Sequence, residues 1–141
     1  MNQFIEFVGN NLLLFVAFGA TLGMLLFTEW TRFRGAATTL SPFAATQLVN
    51  DGDALFVDVR DEKEYKSGHL LNARNFPVAK FDERMHEIEK LKDRDLVVYC
   101  DNGMRTTRAT AKLRKQGFEK LHTLGGGLAA WEKASLPVVT K

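Results

Sequence analysis

The chain has a single cysteine, Cys100, in 141 residues. A disulfide framework within the chain is thereby excluded, as is any zinc or iron–sulfur centre built from several thiolates. Histidine is scarce as well. His69, His86 and His122 stand far apart, without the close spacing of metal ligands, and neither a metal nor another cofactor is expected. No excess of one charge exists either. Nineteen Lys and Arg against seventeen Asp and Glu leave a net charge of +2, which gives no case for a nucleic-acid partner.

From Phe7 to Phe27 charge is missing altogether, and from Leu12 onward only Thr21 carries a polar side chain. As a helix, that stretch would cover about 31 Å, enough for a hydrocarbon core of ~30 Å. Phe4 and Trp30 can take the two interfaces. A signal peptide needs basic residues ahead of its apolar run, and Met1 to Asn11 has none. Where a small-residue cleavage site would stand, Glu29, Trp30, Arg32, Phe33 and Arg34 follow instead. A core helix would carry a polar stripe, whereas this segment is apolar all round. The reading is a transmembrane helix at 7–28, after a short non-cytoplasmic tail at 1–6. A juxtamembrane linker at 29–37 follows, with Gly35 to Leu40 leading into a soluble domain at 38–140. Arg32 and Arg34 place that domain in the cytoplasm. Gly19 and Gly23, spaced as Gly-x-x-x-Gly, offer a dimer contact within the lipid bilayer.

The soluble part alternates strand and helix. Ser41-Pro42 opens a helix by cap and first-turn proline. Ala54 to Val59 is a strand-like apolar run, and Asp61 with Glu64 resembles a capping box closed by Gly68. Leu70 to Phe76 reads as a short extended piece before Pro77, and Phe81 to Leu91 has helical spacing. Leu96 to Tyr99 is a second strong strand, followed by a helix from Thr106 to Gln116 that Gly117 ends. Phe118 to Leu124 reads as a third strand, and Gly125-Gly126-Gly127 opens a last helix through Trp131. Near-continuous apolar strands separated by helices predict a parallel sheet covered on both faces. Ligands bind such sheets at the carboxyl ends of the strands, where Cys100 falls.

Cys100-Asp101-Asn102-Gly103-Met104-Arg105 leads straight into the next helix. A helix N-terminus presents unpaired N–H groups and about half a positive charge, which stabilises a thiolate. Gly103 lets the loop curl so that its amides point inward, and Arg105 adds a cation. From Asn102 to Phe118 there is no acid, while Arg105, Arg108, Lys112, Arg114 and Lys115 are all basic. A lone cysteine at a strand end is otherwise a small buried hydrophobe, and late basic residues also complement a helix C-terminus.

Asp58-Val59-Arg60, Glu64-Tyr65, Gly68-His69-Leu70 and Asn75 to Pro77 fall in the order of a rhodanese domain. Cys100 to Arg105, then Gly126-Gly127, Trp131 and Leu136-Pro137-Val138, continue that order. The chain resembles this family over residues 38–140 and, with its apolar helix, the membrane-anchored single-domain rhodaneses of bacterial inner membranes. The resemblance implies an α/β fold of three layers around a parallel, five-stranded sheet. It implies a sulfurtransferase in which Cys100 carries sulfane sulfur as a persulfide cradled by the amides of Asp101, Asn102, Gly103, Met104 and Arg105. The sulfur donor would be thiosulfate, a polysulfide or a protein persulfide, and the acceptor a thiol or cyanide. Asp58, Arg60, Glu64 and His69 match scaffold positions; Arg60 either touches the anion or pairs with Glu64.

Asp101 departs from what an anionic donor would favour. Unless its carboxylate points away, it raises the Cys100 pKa and weakens thiosulfate binding. Two rival readings remain. One is a catalytically weak interaction module with the same fold. Another is a phosphatase or arsenate reductase, although related phosphatase loops hold five residues between Cys and Arg and this one holds four. Thioredoxin-like chemistry would need a second cysteine.

Overall fold

The computed structural model describes residues 1–35 and 37–140, without the side chains of 32–35. Arg32 and Arg34, on which the orientation rests, therefore have their side chains outside the described set. The chain divides into two compact units, 1–36 and 37–141.

The first unit holds two helices, α1 (Asn2–Asn10) and α2 (Leu12–Gly35). The expected single helix from Phe7 is broken at Asn11, and the competition of an asparagine side chain with the backbone accounts for the break. Asn11 Nδ2 donates to the carbonyl of Phe7 at 2.9 Å, where its backbone N–H also ends α1. Phe7 and Phe15 meet edge to face across the break, with centroids 6.1 Å apart. Among the described residues, Leu12–Thr31 alone is long and apolar enough to cross a membrane. Thr21, the polar residue in that run, returns its hydroxyl to the carbonyl of Ala17 at 2.8 Å, which satisfies it without water. The segment expected as a linker at 29–37 is helical as far as Gly35.

The second unit is a parallel sheet between two helical layers. Its strands are β1 (Thr38–Leu40), β2 (Leu55–Asp58), β3 (Arg74–Asn75), β4 (Leu96–Tyr99) and β5 (Leu121–Leu124), in spatial order β1-β5-β4-β2-β3. Thr38 to Leu40, expected to lead in as linker, pairs with β5, and Thr123 Oγ1 donates to Thr39 Oγ1 at 3.2 Å. The extended piece at 70–76 shrinks to two residues. Asn72 adopts φ +61°, and Ala73 N–H turns back to the Leu70 carbonyl at 3.0 Å.

Side chains alternate across the sheet because a strand repeats every two residues. Leu55, Val57, Leu96, Val98 and Cys100 face one layer, made by α5 (Phe81–Glu89) and α6 (Met104–Lys115). Phe56, Val97 and Tyr99 face the other, formed by α3 (Pro42–Asp51), α4 (Glu62–Ser67) and α7 (Gly127–Lys133). There Phe56 meets Tyr99 and Trp131 edge to face, at 6.3 and 5.5 Å. The polar ends are satisfied: Tyr99 Oη accepts from Leu70 N–H, and Trp131 Nε1 donates to the Pro137 carbonyl.

Candidate functional site

β4 delivers Cys100 to the carboxyl edge of the sheet, where its side chain is fully buried. Gly103 follows with φ +98° and caps α6, a left-handed conformation that glycine adopts without strain. That turn brings the Gly103 N–H to 3.0 Å from Cys100 Sγ. Burial pushes the thiol up. The Thr106 hydroxyl and the backbone N–H groups of Thr106, Gly103 and Asn102 pull it down further, so Cys100 lies below its ordinary value. Thr106 was not among the residues expected at the site. Its Oγ1 is buried and has no settled hydrogen-bond partner, which leaves it ready to donate to an anionic sulfur. A hydroxyl six residues after the cysteine, in the first turn of α6, is the sequence signal that could have found it. Met104, in contrast, projects outward and is 79% exposed.

The loop is held from below by α7. Leu128 N–H donates to the Cys100 carbonyl at 2.8 Å and Ala129 N–H to the Asp101 carbonyl at 3.2 Å. Gly127 lies so close beneath that a Cβ there would run into both carbonyls, and its φ is +61°. The glycine run that reads as a helix opening is thus also the seat of the cysteine loop.

Charge around the loop is arranged differently from the expectation. Arg60 does not pair with Glu64. Its guanidinium is buried, bonds Asp58 at 2.7 to 3.1 Å, donates to the Gly68 carbonyl at 2.6 Å and reaches Asp101 Oδ1 at 3.2 Å. The partner of Glu64 is Arg105, through two parallel bonds of 2.7 and 2.8 Å. Arg105 also holds Asp101 Oδ2 at 2.9 Å. Asp101 therefore does not face solvent alone, because its carboxylate bridges two arginines. The Arg105 guanidinium holds the Glu64 carboxyl at about 2, with the Asp61 N–H helping. Glu64 completes the capping box of α4, accepting from Asp61 N–H at 3.0 Å. His69, expected as scaffold, stacks on Tyr65 at 3.8 Å and shares a hydrogen bond with its carbonyl.

A parallel five-stranded sheet with a cysteine loop curled over a helix N-terminus at its carboxyl edge is the architecture of a rhodanese-like α/β domain. The family model of the rhodanese-like domain matches residues 41–134, and the chain belongs to that family. It is similar along nearly its whole length to the uncharacterized protein YibN of Escherichia coli (strain K12), 29% identical over 99% of this chain and 98% of that one. It is 39% identical to a sulfurtransferase of Allochromatium vinosum over 66% of this chain and 85% of that one. Among solved structures, the rhodanese-like domain of the Anabaena sp. protein Alr3790 superposes with a TM-score of 0.66 at 28% identity, covering 75% of this chain and 81% of that one.

Proposed function

We propose that this chain is a membrane-tethered sulfurtransferase that carries sulfane sulfur as a persulfide on Cys100. The observation that supports it most directly is the thiol itself. It is buried, yet its pKa is lowered by inward-pointing N–H groups and the Thr106 hydroxyl, a setting suited to an anionic sulfur. In the first half-reaction, the Cys100 thiolate attacks the sulfane sulfur of the donor. A new S–S bond forms, the donor's own bond to that sulfur breaks, and sulfite leaves when the donor is thiosulfate. In the second, an external nucleophile removes the outer sulfur and returns the thiolate, since the chain has no second cysteine to resolve the persulfide internally. The helix at 12–31 would anchor the catalytic unit to the bacterial inner membrane, with Arg32 and Arg34 retaining it on the cytoplasmic side. A dimer through Gly19 and Gly23 fits this arrangement, as no side chain of the same chain crowds either glycine.

A weak, binding-only module is favoured by one feature, the occupation of Arg105 by Glu64 and Asp101. The same feature disfavours a phosphatase, whose loop arginine must be open to phosphate. Intact-mass measurement after incubation with thiosulfate or polysulfide decides between carrier and module. One added sulfur, absent in Cys100→Ser and removed by cyanide, is the expected result. An unchanged mass with both donors overturns the enzyme reading.

A further inference from the structure

The cations along α6 beyond Arg105 are the feature of the sequence that the sulfur chemistry at Cys100 does not use. Around the loop, two arginines already meet three carboxylates: Arg60 and Arg105 are held by Asp58, Glu64 and Asp101. Both terminal nitrogens of Arg105 are engaged. With Cys100 as thiolate the cluster is net negative, and an incoming anion needs a cation from elsewhere. Arg108 is that cation. It is exposed, and among the described residues no carboxylate pairs with it. Lying three residues after Arg105, it shares the same helix face, and Lys112 continues the row while holding Asp82 at 3.2 Å.

Arg108 borders two open grooves. One, of about 400 Å³, has Val59, Val78 and Ala79 as an apolar wall. The other, of about 370 Å³, is bounded by Asp101, Asn102 and Met104 of the loop. Both volumes suit a small molecule of several heavy atoms. Arg108 comes about one helical turn, ~5 Å of rise, after Arg105 along α6, so an anion bound there sits farther from the cysteine loop than one at Arg105.

We propose that Arg108 determines specificity for the sulfur acceptor, binding the carboxylate of an acidic low-molecular-weight thiol while its sulfur reaches Cys100. A guanidinium fork matches a carboxylate in plane and spacing, and the apolar wall covers the carbon chain between the two ends. The proposal rests on the carrier role of Cys100. The acceptor thiolate attacks the outer, protonated sulfur of the persulfide and forms the new S–S bond. The bond from that sulfur to Cys100 Sγ breaks, Cys100 leaves as thiolate, and the proton stays on the transferred sulfur.

The test uses the full chain in detergent micelles, loaded with polysulfide and discharged by glutathione, which bears carboxylates, or by cysteamine, which bears none. Taking the ratio of kcat/KM for the two acceptors cancels general effects on the thiol. Arg108→Glu is expected to lower that ratio tenfold or more, and Arg108→Gln about threefold, mainly through the KM for glutathione. A ratio unchanged in both variants overturns the proposal while leaving the carrier reading intact. A wild-type chain that takes up no sulfur overturns both.

Discussion

Arg105 grips Glu64 across 41 residues of sequence, with Nη1 and Nη2 each on one carboxylate oxygen at 2.7 and 2.8 Å. The pair ties the cysteine loop to the first turn of α4 and so fixes the loop from the side, as α7 fixes it from below.

Breaking that pair is expected to loosen the loop at a modest cost. Both side chains are more than a third exposed, or close to it, so solvent screens the interaction and Glu64→Gln should destabilise the domain by about 1 kcal/mol. In pH terms, a carboxyl depressed from 4.5 to about 2 contributes fully above pH 4.5 and loses its contribution as pH falls towards 2. The stability gap between wild type and Glu64→Gln, measured by denaturant unfolding, should therefore be constant above pH 4.5 and shrink below it. A gap independent of pH would contradict the ion pair.

Asp101→Asn removes a charge from the loop and releases one nitrogen of Arg105 towards solvent. Loading of Cys100 from thiosulfate should rise about threefold or more, equivalent to ~0.7 kcal/mol. Polysulfide, less charged at its reacting end, should gain less. Arg105→Ala should act the other way and slow thiosulfate loading, because Glu64 loses its partner and Asp101 keeps only Arg60. Equal rates in all three proteins would show that these charges do not reach the donor.

Thr106→Val keeps the shape of the side chain and deletes its hydroxyl. The thiolate then loses one donor while burial still opposes it, so the Cys100 pKa should rise. Since Cys100 is the sole thiol, thiolate absorbance against pH reports it without interference. The midpoint should move to higher pH and sulfur loading at neutral pH should fall with it. Thr106→Ser should restore both. An unmoved midpoint would leave Thr106 a packing residue.

Two glycines separate loop geometry from loop support. A Cβ at Gly103 meets nothing within 4 Å, so Gly103→Ala is opposed only by its left-handed backbone, at about 1–2 kcal/mol. The domain should stay folded and load sulfur more slowly. At Gly127 the Cβ collides with the carbonyls of Cys100 and Asp101, and overpacking adds roughly 1–3 kcal/mol to a similar backbone strain. Gly127→Ala should therefore lower the melting temperature clearly more than Gly103→Ala. The reverse order would refute the seating of the loop on α7.

Topology is tested by reporter fusions after Lys141. A cytoplasmic signal, with the chain in the membrane fraction, is expected. Replacing Arg32 and Arg34 with Gln should make the orientation mixed. A periplasmic signal from the unaltered chain would reverse the assignment.

The central strands are legible in the sequence because β2 and β4 are buried on both faces and therefore run as near-continuous apolar segments, with Asp58 at the end of β2. Ser41-Pro42 and the Asp61/Glu64 box are legible because capping is local chemistry. β1 is not, since Thr38 to Leu40 is an edge strand whose reason for pairing, β5, lies more than eighty residues away. The pairs Arg60–Asp101 and Arg105–Glu64 are hidden for the same reason, each spanning 41 residues. Cys100, Gly103 and the helix behind them can be read as a unit because they are contiguous. Thr106 escapes notice because an ordinary threonine in a first helical turn usually serves the backbone.

The alternation within β4 makes the placement of the thiol a question of parity. Leu96, Val98 and Cys100 share one side of the sheet, while Val97 and Tyr99 take the other. Inserting one residue between Leu96 and Tyr99 would deliver the sulfur to the layer of Phe56 and Trp131 and present a phenol to α6 in its place. Inserting two would restore the side but push the thiol ~7 Å along the strand, past the N–H groups that receive it. Drift in the length of this strand is thus barred in single steps by the wrong side and in double steps by the wrong depth.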